Sequence, residues 1–161
     1  MDGSSALPTL LVIAGPTGSG KSELALEVAE AIGGEIVSAD AFAVYRGLDI
    51  GTDKPSTEAR RRVRHHLVDI ADPRQRFSAG HFVAAAAAAI DDIRARGSVP
   101  VVAGGTHFYI RALLLGLFES PPGDASLRAR LAAEWDADPA RTVDRLRDID
   151  PAAAARIATG D

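Results

Sequence analysis

A chain of 161 residues with 47% hydrophobic content is long enough to bury one core and leave a small appendage, and the absence of cysteine excludes a disulfide scaffold. A formal charge of −4 gives no general attraction to nucleic acid, so any RNA contact has to come from a local cluster. No apolar run is long enough to span a bilayer and residues 1–8 carry no basic-then-apolar leader, so a soluble, cytoplasmic protein with no membrane partner is expected.

Residues 1–8 read as a loose tail. The apolar stretch 10–14 reads as a strand and runs straight into Gly15-Pro16-Thr17-Gly18-Ser19-Gly20-Lys21-Ser22, which fits the phosphate-binding P-loop at every required position. Helix-forming residues 21–32 follow. Strand, glycine-rich turn and helix start thus come in the order that points backbone N–H groups and the positive helix end at an anion. In such a cradle Lys21 brings a full charge to the terminal phosphates, and Ser22 offers its hydroxyl to a phosphate-bound Mg2+, the one cofactor expected.

Gly33-Gly34 ends that helix, since glycine relieves a left-handed cap, and 35–38 reads as the next strand. Residues 40–55, with Gly47, Gly51 and Pro55, are irregular. A polar helical stretch, 57–64, holds Arg60, Arg61, Arg62 and Arg64 next to His65 and His66. This crowd is either a contact for an RNA backbone or a solvated helix face. The apolar segment 67–70 reads as a short strand.

Ser78 caps a helix over 79–96, where six alanines, 84–89, sit among Phe82, Ile90 and Ile93 at helical spacing. Alanine is the best helix former, so this is a close-packed structural helix without chemistry. Gly97 ends it. A buried strand, 99–103, runs into Gly104-Gly105-Thr106, and a helix with an apolar face covers 107–117. Beyond the loop at Pro121-Pro122-Gly123 come charged amphipathic helices over 126–135 and 140–148. The expected class is α/β, a P-loop NTPase-like parallel sheet flanked by helices, with a tail at 1–8, the core at 9–118 and a helical appendage at 119–161.

A P-loop hydrolase places an acid at the end of a second buried strand. Here 99–103 ends in glycines, leaving Asp40 and Asp69 at strand ends, neither followed by a second acid, which weighs against ATP hydrolysis. Strand ends in open α/β sheets face the ligand crevice, so Asp40 belongs beside the P-loop mouth. There it serves as a turn cap, as a magnesium ligand, or as the acceptor of a proton from an attacking nucleophile. A small P-loop kinase using ATP, with Asp40 as base on an acceptor hydroxyl, is one reading of these parts.

The neighbours of Asp40 carry a more specific message. Ser38-Ala39-Asp40, then Val44-Tyr45-Arg46-Gly47-Leu48-Asp49-Ile50-Gly51-Thr52 and Lys54-Pro55, closely resembles the signature of tRNA dimethylallyltransferases, also called tRNA isopentenyltransferases. His65-His66-Leu67-Val68-Asp69-Ile70, Phe77-Ser78-Ala79-Gly80 with Phe82, and Gly104-Gly105-Thr106 with Tyr109 resemble further blocks of that family in its order. The resemblance runs from the P-loop to the last residues and covers roughly the first half of a family member.

The resemblance implies transfer of a dimethylallyl group from dimethylallyl diphosphate to N6 of the adenosine 3′ of a tRNA anticodon. It implies Asp40 as general base, Thr17 as a substrate-contacting hydroxyl, and tRNA contacts at Asp40, Ala41, Phe42, Ala43, Thr106 and Arg128. It departs from the family at Ala41 and Ala43, where serine and glutamine are usual, and at His107 and Phe108, where a small or aliphatic pair is usual. The chain also stops at Asp161, where family members continue, which admits a non-catalytic fragment as a further reading. A monomer is the favoured oligomeric state.

Overall fold

Strand residues that are apolar at consecutive positions need cover on both faces, and here they have it. The computed structural model describes residues 10–117 and 124–157; the expected tail, the Pro121-Pro122-Gly123 loop and residues 158–161 lie outside them. Four parallel strands, β1 (Leu11–Ala14), β2 (Gly34–Ser38), β3 (His65–His66) and β4 (Val99–Gly104), form one sheet in the order β1-β4-β2-β3. In register, Ile36 lies beside Val101 and Val37 beside Val102.

The two faces bury alternate residues of those strands. On one, Val37 and Val102 pack with Phe82, Ala86, Ile90 and Ile93 of α3 (Ala79–Ala95) and with Tyr109 and Ile110 of α4 (His107–Leu115). On the other, Ile36 and Val101 pack with Ala25, Leu26 and Ala29 of α1 (Lys21–Ile32) and with Val63. Ala86 is fully buried, so the alanine run lets α3 approach the sheet closely.

Local chemistry sets the helix ends. Ser78 caps α3 in a capping box: its Oγ accepts from the His81 N–H at 3.3 Å, while His81 Nδ1 accepts from the Ser78 N–H at 3.3 Å. Gly33, at φ 64°, closes α1 with its N–H directed at the Ala29 and Glu30 carbonyls. Gly34 already belongs to β2, where a Cβ would lie 2.7 Å from the Val99 carbonyl oxygen, so only glycine fits.

The expected strand at 67–70 is corrected by the structure. β3 is His65–His66, and Leu67 and Asp69 take φ of 62° and 59°, left-handed values that no strand accommodates. Residues 69–71 instead bond to the loop after β2, the Asp69 N–H donating to Ala43 O at 3.1 Å and the Ala71 N–H to Val44 O at 2.9 Å. The polar helix, α2 (Thr57–Arg62), stops short of Arg64 because Val63 is extended and drops into the core.

The chain divides into two compact units, Met1–Leu117 and Phe118–Asp161. The second holds α5 (Ala125–Ala137), α6 (Pro139–Ile149) and α7 (Pro151–Ala154). Asp124, Asp138 and Asp150 cap them, with proline at the first position of α6 and α7. None of the described residues of these helices is buried.

Candidate active site

The strand order places the C-terminal end of β4 between those of β1 and β2. Three loops therefore meet side by side: the P-loop after β1, Ala39–Asp40 after β2, and Gly104-Gly105-Thr106 after β4. This is the crevice where open parallel sheets bind ligands.

Glycines make the approach possible. Gly18 and Gly20 turn the P-loop at φ 80° and 78°. A Cβ on Gly104 would sit 2.2 Å from the Ala39 carbonyl oxygen, and one on Gly105 would lie 3.6 Å from Lys21 Cε. The Ala39 N–H donates to Ala103 O at 2.8 Å and the Thr106 N–H to Ala39 O at 3.2 Å, which locks the two loops together. Thr106 does not cap its own helix with its side chain; its Oγ1 accepts from the Ala41 N–H at 3.0 Å.

Asp40 is half-buried at the start of a turn. Its Oδ1 accepts from the Phe42 N–H at 2.8 Å and the Ala43 N–H at 3.0 Å, while Oδ2 accepts no hydrogen bond among the described residues. One oxygen thus does the capping work and fixes the carboxylate, leaving the other available. Lys21, Ser22, Ser38, Asp40, Asp53 and His65 line one cavity. Lys21 Nζ donates to Pro16 O at 3.3 Å, folded over its own loop, and Thr17 and Ser22 are exposed.

The structure gathers the P-loop, Asp40, Ala41, Phe42, Ala43 and Thr106 at this sheet end. Phe42 is exposed and Ala43 buried against the cavity. Arg128 lies apart from them in sequence on α5, where with Leu127, Leu131 and Trp135 it lines an apolar groove of the second unit. Sequence reasoning missed Asp53 and His65 as cavity residues. His65 Nδ1 lies 2.8 Å from the Val63 carbonyl, which only accepts, so the neutral ring carries its proton there and leaves Nε2 an acceptor. Burial holds its pKa below 6.5, helped by the charge of Arg60 and against the bond to Val63.

Other charged candidates are spoken for. Asp69 is salt-bridged to Lys54 at 2.7 Å and Arg60 at 2.8 Å; the Lys54 bond, over the opposing effect of burial, lowers its pKa. Arg62 makes a two-pronged pair with Glu30 at 2.8 and 2.6 Å, and Arg64 lies 3.8 Å from Glu35. Three arginines of the cluster thus pair with acids at the protein surface, Arg62 and Arg64 staying exposed, while Arg61 lacks an ion pair among the described residues. Glu35 also takes His66 at 2.6 Å and Arg96 at 2.8 Å; burial works to raise its pKa, and those partners outweigh it and lower it. Phe77 is a fastener between two tyrosines: its N–H donates to Tyr45 Oη at 3.2 Å and its carbonyl accepts from Tyr109 Oη at 3.0 Å, with Tyr109 stacked on Phe82.

Comparison with known proteins places this geometry. The sequence is 52% identical over 153 residues to the tRNA dimethylallyltransferase of Sorangium cellulosum, covering 94% of this chain and 49% of that one. It is 53% identical to the tRNA dimethylallyltransferase of Anaeromyxobacter dehalogenans, covering 94% and 51%. The chain spans about half the length of the curated relatives it matches. Its fold is similar to that of the full-length tRNA isopentenylpyrophosphate transferase of Bacillus halodurans, with TM-score 0.68, 37% identity and coverage of 94% and 51%. It is also similar to a eukaryotic dimethylallyltransferase solved acting on tRNA, with TM-score 0.77, 29% identity and coverage of 92% and 37%. The family model described as IPP transferase matches residues 43–161, from the cavity-lining Ala43 onward, and the chain belongs to that family.

Proposed function

We propose that this chain carries the diphosphate-binding and proton-accepting part of a tRNA-modifying enzyme, which transfers a dimethylallyl group from dimethylallyl diphosphate to N6 of the adenosine 3′-adjacent to the anticodon. The observation that carries this reading is the shared cavity of Lys21, Ser22 and Asp40, with Asp40 Oδ2 not taken up by the turn. Relatives named for this transfer support it over the ATP-kinase reading.

In the reaction, the N6 nitrogen forms a bond to C1 of the dimethylallyl group as the C1–O bond to diphosphate breaks, and the N6 proton passes to Asp40 Oδ2. Adenine N6 is a weak nucleophile because its lone pair is delocalised into the ring, so orientation and proton removal both count. The two bonds at Oδ1 hold the base still. Lys21 and the P-loop N–H groups stabilise the departing diphosphate, where charge develops. Thr17 contacts the substrate from the P-loop, and Ala41, Phe42, Ala43, Thr106 and Arg128 contact the tRNA, whose target base leaves its stack to reach Asp40.

The donor set fits Mg2+. Ser22, Asp40 and Asp53 present hard oxygens to one cavity, while no group of three or more His, Cys, Asp or Glu that could hold a metal occurs among the described residues. Such a set suits an ion bound largely by substrate phosphates and water, with Ser22 as its protein ligand. When bound, Mg2+ neutralises charge on the diphosphate. No helix among the described residues is long and apolar enough to cross a membrane, and we place the chain with its tRNA substrate in the cytoplasm, as a monomer.

Calorimetry tests this reading: dimethylallyl diphosphate with Mg2+ binds the chain more tightly than ATP. ATP binding far better than the allylic diphosphate contradicts it and favours a kinase.

A further inference from the structure

One wall of the cavity is made of loop alone. Asp53 and Pro55 line it, yet neither belongs to a helix or strand, and Asp53 sits at φ 50°. Nearby Ile50 is 98% exposed, so apolar packing does not hold this stretch. Between Asp53 and Pro55 stands Lys54, whose side chain is only 4% exposed.

Its ammonium donates to Tyr45 O at 2.6 Å, to Asp49 Oδ1 at 2.9 Å and to Asp69 Oδ1 at 2.7 Å, which uses all three of its protons. Asp69 closes a circuit. Its Oδ2 accepts from Arg60 Nη1 at 2.8 Å, and Arg60 Nε donates to Pro55 O at 3.0 Å. Its N–H donates to Ala43 O at 3.1 Å. Ala43, at the start of the loop, and Pro55, at its end, both line the cavity and are both tied to Asp69. Burial alone favours the neutral amine of Lys54; the bonds from Asp49 and Asp69 outweigh it and hold the ammonium charged.

We propose that Lys54 is a positioning residue, which fixes the Asp53–Pro55 wall against the Asp40–Ala43 turn and so sets the width of the cavity beside Lys21 and Ser22. The inference rests on the reading of this cavity as a diphosphate site. Lys54 acts through its neighbours, and the three bonds of its ammonium define a geometry that a neutral side chain of the same length does not reproduce.

The test uses the 161-residue chain, with inorganic diphosphate and Mg2+ as probe, at a temperature where circular dichroism shows every variant folded. Lys54→Met weakens binding by about tenfold or more, as expected for a wall displaced by the order of 1 Å. Asp69→Asn weakens it similarly, and the double variant adds little, because the two act through one ion pair. Amide hydrogen exchange quickens across residues 46–55 and not in β1 or β4. Should Lys54→Met fail to fold, Asp49→Asn removes the charge of the one partner that is 70% exposed, its amide oxygen still able to accept, and carries the same expectation at about twofold. Wild-type affinity in the folded variants, or faster exchange spread evenly over the core, overturns the positioning role. A wild-type chain that does not bind the probe overturns the diphosphate reading, and this inference with it.

Discussion

Replacing Gly104 by alanine puts a methyl carbon 2.2 Å from the Ala39 carbonyl oxygen and 2.4 Å from its carbonyl carbon, where ordinary contacts begin at 3.4 Å. The obstacle is backbone and cannot rotate aside, because Ala39 bonds to Ala103 at 2.8 Å and to Thr106 at 3.2 Å. The ends of β2 and β4 must part by about 1 Å, and overpacking of this kind costs about 1–3 kcal/mol. For a unit of this size that lowers the melting temperature by roughly 4–12 °C. The neighbouring Asp40 is displaced with Ala39, and a misplacement of about 1 Å costs on the order of 100-fold in rate. Gly105→Ala is the control: its nearest neighbour is Gly15 O at 3.5 Å, an ordinary contact, so its stability stays within about 0.5 kcal/mol of wild type. Differential scanning calorimetry on the two variants decides. A Gly104→Ala protein that melts with wild type refutes the close approach on which the site is built.

Further outcomes follow from single groups. Lys21→Ala weakens diphosphate binding by about 1.5–3 kcal/mol, the worth of a charge-assisted bond, in a calorimetric titration; unchanged affinity removes Lys21 from the cradle. Ser78→Ala loses the capping box of α3 and about 1 kcal/mol in urea unfolding. Burial depresses the pKa of His65 below 6.5, so the unfolded chain binds the proton more readily. Its contribution is full above 6.5 and is lost as pH falls through that value toward the folded one. Between about pH 7.5 and pH 5.5 wild type therefore loses more stability than His65→Gln, and equal losses show that the ring is not desolvated.

Much of this fold could be read from local pattern. The P-loop, the cap at Ser78 and the glycines that end α1 and α3 are short-range signals whose meaning does not depend on the rest of the chain. The 67–70 segment shows where that reasoning stops. Its apolar residues mimic a strand, but the Lys54 and Arg60 bonds to Asp69 and the backbone bonds to Ala43 and Val44 impose left-handed turns at Leu67 and Asp69. Those partners are distant in sequence and carry no periodicity. Asp53 and His65 escaped for the same reason: the cavity they line is formed once the loop after β2 pairs with the segment that follows β3. A local signal was available for α7, since Asp150-Pro151 repeats the aspartate-cap and proline-start arrangement of Asp138-Pro139. The arginine cluster shows another long-range effect: Glu30, Glu35 and Asp69, distant in sequence, pair with Arg62, Arg64 and Arg60, and no local pattern announces those partners.

Acceptance of the N6 proton by Asp40, as proposed, is tested by Asp40→Asn. The amide keeps the size and can still accept at Oδ1 from the Phe42 and Ala43 N–H groups, so the turn survives, but it cannot take up the proton. The decisive measurement is single-turnover dimethylallyl transfer to an anticodon stem–loop, with the chain joined to the C-terminal half of one of its relatives, beside a titration of dimethylallyl diphosphate with Mg2+. If Asp40 is the base, the rate falls by about 10²–10⁴-fold with diphosphate affinity nearly unchanged. Transfer at the wild-type rate, or a loss of magnesium-dependent diphosphate binding in step with the rate, contradicts it.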